Sequence, residues 1–200
     1  EWVKQLKPEI SCYGQAYDMY DMLGSVVQSV QAHCVFPTPE EFELMSRRKK
    51  LWVAHCPQSN MNANGVAAPI RRYLDAGIHV GLGTDIAGSN TLSMFRTISD
   101  TIVASKIYWN SMERKGDPFA EKTYLTVSEA FYLATKGGCS FWGKAGSFEE
   151  GSLFDAVVID DAPLWDFNNR SLRQRIERVV FQGDERHTVA KFINGRKVYG

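Results

Sequence analysis

Residues 79–90 read HVGLGTDIAGSN, and how that stretch is understood decides the fold. Apolar residues alternating with glycines make its first half a strand, and the strand stops on Thr84 and Asp85. A carboxylate at the mouth of a buried strand is costly unless something there uses it. Asp is a favoured N-cap, so Asp85 can start the next helix. Alternatively it is a metal ligand or proton carrier at the open, carboxyl end of an α/β barrel, where that architecture keeps its active sites. The stretch alone leaves both readings standing.

Working outward, the same kind of unit recurs. "LWVAHCPQSN" (residues 51–60) is a strand stopped at Pro57 and followed by a polar loop to Gly65, and "VAAPIRRYLDAGI" is a short helix closed by Gly77. Earlier, "SVQAHCVF" (residues 29–36) is strand-like. "TPEEFELMSRRKK" after it is a helix with Thr38 as N-cap, Pro39 at the first helical position, acids in the first turn and basic residues at the end. Strands alternating with helices at this spacing mean βα units and a parallel sheet. "QAYDMYDMLGSV" is a short helix ended by Gly24, and Trp2, Val3 and Leu6 share one helical face. The chain thus starts in the middle of a pattern and is expected to be part of a longer one.

After Asp85 the pattern turns helical, through "TLSMFRTISDTIVASKIYWNSM" and "TVSEAFYLATKGGCSFWGK". The apolar side of the first helix suits either a core or a subunit contact. From Ala145 the chain is turn-rich, with a strand at residues 156–159. "RVVFQGDERHTVAKFINGRKVYG" reads as two short strands, with Asn194 and Gly195 as the hairpin turn.

Composition narrows the function. Lys+Arg and Asp+Glu balance at 23 each, so no basic field points to nucleic acid or an anionic membrane surface. No apolar run approaches the roughly 20 residues of a membrane helix. Cys12, Cys34, Cys56 and Cys139 form no CxxC pair, which argues against a disulfide scaffold or a cysteine zinc site and for a reducing cytoplasm.

Polar residues end three of the strands: His33, then His55 with Ser59 and Asn60, then Asp85. His and Asp are what a hydrolytic metal site needs, since imidazole and carboxylate bind metal and a carboxylate also relays a proton. His55, just before the Cys-Pro that ends its strand, is read as a hydrogen-bonded core residue. His79 and His187 are read as surface residues.

In order, "AHC", "VAHCPQSN", "PIRRYLDAGIHVGLGTDIAG" and "GCSFWGKAGSFEEGSLFDAVVID" resemble the amidohydrolase superfamily of metal-dependent hydrolases. "AHCPQSN", "SMFRTISDTIVASK" and "FQGDERHTVAKFINGRKV" are most similar to its guanine deaminase branch. The resemblance implies an α/β fold, the C-terminal part of a TIM-like (β/α)8 barrel plus strands of a small β-sandwich domain. Residues 1–144 would be the barrel from its sixth strand onward with C-terminal helices, and residues 145–200 part of the sandwich. It implies that Asp85 binds the metal and shuttles protons, and that His33 orients the attacking water and contacts substrate. Ser59 and Asn60 match the family's Ser-Asn, here read as a loop held by local hydrogen bonds. Ser93 and Met94 follow the family pattern toward the pocket.

One zinc ion per subunit is implied, with iron the alternative, together with a small purine substrate, no nucleic acid or membrane partner, and a cytoplasmic homodimer. The chain departs from the pattern at Ser89, where the branch carries a second glycine, and a side chain there could tighten the loop. The family's His-x-His and His-x-x-Glu motifs have no counterpart in these residues and are expected upstream. The alternatives are an amidohydrolase acting on another ring amine, such as an adenosine-type thioether or a triazine, or a catalytically dead homologue. The cytidine-type deaminases are excluded, since Cys56-Pro57 is not followed by their second Cys.

Overall fold

The computed structural model describes Gln5 and residues 7–116, 123–164 and 166–200. The helix expected through Trp2, Val3 and Leu6 lies outside these residues. In chain order the elements are α1 (Tyr13–Met19), β1 (Ser29–Ala32), α2 (Pro39–Ser46), β2 (Leu51–His55), α3 (Pro57–Asn64), α4 (Ile70–Asp75) and β3 (His79–Leu82). They continue as α5 (Met94–Lys115), α6 (Val127–Tyr132), β4 (Ala156–Ile159), α7 (Leu172–Gln182), β5 (Thr188–Ile193) and β6 (Arg196–Tyr199).

Two three-stranded sheets result. β1, β2 and β3 are parallel and adjacent in sequence order, as the βα alternation requires. Ala32 lies opposite Ala54, and His55 opposite Leu82, so the three carboxyl ends are level. Beneath them Leu51, Val53 and Val80 pack with Ile70, Tyr73, Leu125 and Leu133 in one core cluster. Burial of each such side chain is worth about 1.5–3 kcal/mol. Gly81 in β3 has a packing reason: a Cβ there would stand 2.9 Å from the Cα of Gly138, at the end of the helical segment Leu133–Gly137 that continues α6 and packs on β3. The second sheet, β4-β5-β6, is antiparallel, and the β5–β6 hairpin turns on Asn194 and Gly195, both at positive φ.

Capping chemistry explains where the helices begin. Thr38 and Glu41 form a capping box at α2, and Thr126 with Glu129 does the same at α6. α5 buries Ile98, Ile102, Ala104 and Ser105, while Val103 and Ile107 remain exposed. No described helix is long and apolar enough to cross a membrane.

Several expectations need correction. The first described helix runs from Tyr13 only to Met19, and Gly24 lies beyond it at φ 79°. The strand read over residues 29–36 stops at Ala32, because His33 and Cys34 take positive φ and turn the chain out of the ladder. α2 ends at Ser46, so the basic residues 47–50 form the approach to β2 and not a helical last turn. The polar loop expected before Gly65 is α3, with Pro57 at its start and Gly65 as a left-handed C-cap. The two short strands expected about Asn194 and Gly195 are β5 and β6, while "RVVFQ" before them ends α7: Ser171 and Gln174 cap that helix, and Val180 packs against Ile98, Ile102 and Ala130. His187 is buried, its Nδ1 beside Asp184, and is not a surface residue.

Tyr73 ties this core to the end of β1, its hydroxyl donating to the Cys34 carbonyl at 2.5 Å. Tyr73→Phe keeps the ring but removes the donor, and should cost about 1–3 kcal/mol in urea unfolding of the full-length protein.

Candidate active site

The parallel ladder continues one hydrogen bond past each strand. His33 N–H donates to Ala54 O at 2.9 Å, and Gly83 N–H donates to His55 O at 2.9 Å. His33, Cys56 and Asp85 therefore leave the sheet on one rim, the position at which parallel barrels gather reactive groups. His33 and Asp85 both adopt positive φ, 67° and 49°, and Ala87 follows at 83°. Such backbone costs of order 1–3 kcal/mol per residue and persists where its surroundings hold it.

Here the surroundings are α3. Gln58 Oε1 accepts from Asn90 N–H at 2.8 Å, and Asn62 Nδ2 donates to Gly88 O at 3.1 Å. Asn60 Oδ1 lies 2.9 Å from His33 Nδ1. The loop also closes on itself, Ser89 N–H to Asp85 O at 2.8 Å, and the Ser89 hydroxyl donates to Thr91 O. Ser89 thus tightens the loop as its side chain suggested.

The cap reading of Asp85 fails on position. The next helix, α5, begins only at Met94, and Ser93 Oγ accepts the N–H of Arg96 at its first turn. Asp85 instead directs Oδ2 toward His33 Nε2, 3.8 Å away and beyond hydrogen-bond length, with both side chains over a third exposed. Ligand atoms of His33, Cys56 and Asp85 all lie within 4.8 Å of one another, so a metal ion could be held among them.

Carboxylate oxygen and imidazole nitrogen suit a zinc-like divalent ion, and Asp85 has no hydrogen bond from a described side chain to compete with one. Cys56 suits that role less. Burial, with the charge of Asp85, pushes its thiol up to about 11, and its Sγ lies 3.6 Å from Ala54 O. The absence of a CxxC pair had argued against a cysteine in a metal site. The place of Cys56 directly after β2 was the signal that it shares the rim.

The remaining candidates fall differently. His55 is buried, as expected of a core residue, but its Nδ1 has no hydrogen-bond partner among the described residues. Burial, then the neighbouring His33, pushes its pKa down to about 3, so it is a neutral ring behind the rim. Ser59 and Asn60 sit in the first turn of α3, not in a loop, and both are buried. His79 is exposed, stacked on Trp52 at 4.5 Å. Ser93 and Met94 stand at the start of α5.

The amidohydrolase family profile matches residues 7–198. The chain belongs to the amidohydrolase family. Such enzymes are generally metal-dependent. This amidohydrolase chain is 33% identical to guanine deaminase of Dictyostelium discoideum, over 99% of its own length and 43% of that protein's. It also superposes on the crystal structure of guanine deaminase from C. acetobutylicum with bound guanine in the active site. There the TM-score is 0.88 at 38% identity, over 98% of this chain and 45% of that one. Atrazine chlorohydrolase from Arthrobacter aurescens, complexed with zinc, matches at TM-score 0.68 and 25% identity, over 86% of this chain and 36% of that one. The chain spans less than half the length of each.

Gly88 tests how tightly the carboxylate is seated. A Cβ there would stand 2.7 Å from Asp85 Oδ2 and 2.9 Å from Ser59 Oγ, both ends of side chains that can move. In the full-length protein, Gly88→Ala should change the unfolding free energy by under about 1 kcal/mol. It should weaken metal binding about 10–100-fold by displacing Asp85, as read by chelator competition.

Proposed function

We propose that this chain supplies part of the catalytic centre of a guanine deaminase, which turns guanine and water into xanthine and ammonia. The observation that carries the reading is the approach of Asp85 Oδ2 to His33 Nε2 on the carboxyl rim of a parallel sheet. Its support is the likeness to guanine deaminases along almost the whole chain.

Asp85 would hold one zinc ion, with iron the alternative metal. Zinc held there would supply a water whose pKa is lowered toward neutrality. Asp85 would take the proton of the attacking water and return it to the departing amine. His33 Nε2, on the open side of its ring, accepts a hydrogen bond from the attacking oxygen, holds it in line and contacts the purine. A C–O bond forms at the amino-bearing ring carbon, the C–N bond breaks, and the nitrogen leaves as ammonia. Asp85 alone falls short of a four-ligand site. The other ligands and the acid that protonates the ring are assigned to the rest of a protein as long as its relatives, of which this match covers 43–45%.

In the same reading, β1 to β3 are strands six to eight of a (β/α)8 barrel in residues 1–144, and β4 to β6 belong to a β-sandwich in residues 145–200. The change from parallel to antiparallel pairing between β3 and β4 supports that division. The full-length protein is assigned as a homodimer in the cytoplasm. Cys12, Cys34, Cys56 and Cys139, all free thiols, fit a reducing compartment.

The test is xanthine formation from guanine by the zinc-loaded full-length protein, followed by ultraviolet absorbance. Asp85→Asn should lower kcat by about 10²–10⁴-fold, the usual worth of a positioned proton carrier. Full activity in that variant would remove Asp85 from the chemistry. Turnover of an adenosine-type thioether or a triazine, with guanine untouched, would move the reading to another ring-amine hydrolase.

A further inference from the structure

We propose that Asn60 is the positioning residue for His33, holding its ring with the proton on Nδ1 and the lone pair of Nε2 turned toward Asp85. The inference deepens the deaminase reading, because it says how the ring that faces the reacting atoms is kept in one state.

The geometry is specific. Asn60 Oδ1 lies 2.9 Å from His33 Nδ1, and an amide oxygen can only accept, so the proton of a neutral ring sits on Nδ1. The other ring nitrogen is uncommitted, since Asp85 Oδ2 is 3.8 Å from Nε2. Nε2 is thus an acceptor facing the rim, which is the role the proposed chemistry gives it. Which nitrogen of a histidine acts is set by the bond the other one makes.

Asn60 is also built to be rigid. Its N–H donates to Cys56 O at 3.1 Å within the first turn of α3, and its own carbonyl accepts from Gly65 and Val66 at the far end. The residue is 4% exposed. His33, by contrast, stands at positive φ just past β1, where its backbone is held by the bond to Ala54 O. The pair bridges the exit of β1 and the helix that follows β2.

A third observation concerns cost. Asn60 Nδ2 is buried and has no hydrogen-bond partner among the described residues. A buried donor left unmade is unfavourable by about 1–3 kcal/mol, so an amide is a poor choice here for stability alone. Leucine has nearly the same shape and would carry no such penalty. What the amide provides, and leucine cannot, is the acceptor at His33 Nδ1.

The experiment reads the tautomer directly. The full-length, zinc-loaded protein is labelled with ¹⁵N-histidine, and the His33 ring is assigned by its disappearance in His33→Gln. Long-range ¹H–¹⁵N spectra should show the proton on Nδ1 in the parent protein and its transfer to Nε2 in Asn60→Leu. In that variant kcat should fall about 10–100-fold, the usual loss when a supporting partner is removed, with KM little changed. Asn60→Asp, which keeps an acceptor at the same place, should keep the Nδ1 proton and recover most of the rate. Zinc content and thermal midpoint accompany each variant, and if Asn60→Leu does not fold, the parent and Asn60→Asp tautomers decide.

A proton on Nε2 in the parent would mean that the amide is turned round and donates, and would overturn the proposal. So would an Asn60→Leu protein with unchanged tautomer and rate. The tautomer is read without substrate, so failure to deaminate guanine would sink the deaminase reading and leave this one standing.

Discussion

Two backbone hydrogen bonds carry the arrangement on which everything else depends: His33 N–H to Ala54 O, and Gly83 N–H to His55 O. Each extends a parallel ladder by one step beyond its strand. Since parallel strands share one direction, the residues that follow them must emerge on one edge of the sheet. A slip of one residue in either pairing would turn the alternating side chains to the opposite face and separate His33 from Asp85. Leu51, Val53 and Val80 lie buried in the core below the rim in this alignment.

Past the ladder the chain leaves in conformations that non-glycine residues avoid, and the polar helix α3 makes this tolerable. Gln58, Asn60 and Asn62 each hydrogen-bond to a different part of the rim. This explains a helix with no apolar stripe: its partners are loop backbone and an imidazole, so it docks by hydrogen bonding and not by area. Gly88 completes the fit, its missing Cβ leaving room for the Asp85 carboxylate and the Ser59 hydroxyl. Strain, helix and glycine thus form one device that seats a carboxylate against a ring.

Much of this was legible in the residues. Strand-helix alternation gave the parallel sheet, Thr38-Pro39 gave the start of α2, and Asn194 and Gly195 gave the hairpin, because each is a local preference with a local physical cause. Asp85 was visible as a carboxylate in need of a purpose. The α3 helix was missed because "QSNMNAN" has no 3.6-residue apolar period, although Pro57 and Gly65 bracketed it. α7 was not read as a helix because Val179, Val180 and Phe181 favour strands locally, whereas packing against α5 and α6 made them helical. His187 looked exposed in a hairpin and is enclosed by the short turn that Asp184 caps.

The sequence by itself determined the order of the βα units, the chemical types available at the strand ends, and the family to which they point. Those are properties of neighbours along the chain, and short-range sterics and apolar periodicity express them. Only the tertiary structure excluded a helix cap at Asp85, brought Cys56 onto the same rim, and set the Asn60 amide against His33 Nδ1. These contacts join residues from separate strands and a helix. Their distances follow from register and packing, which no local stretch encodes.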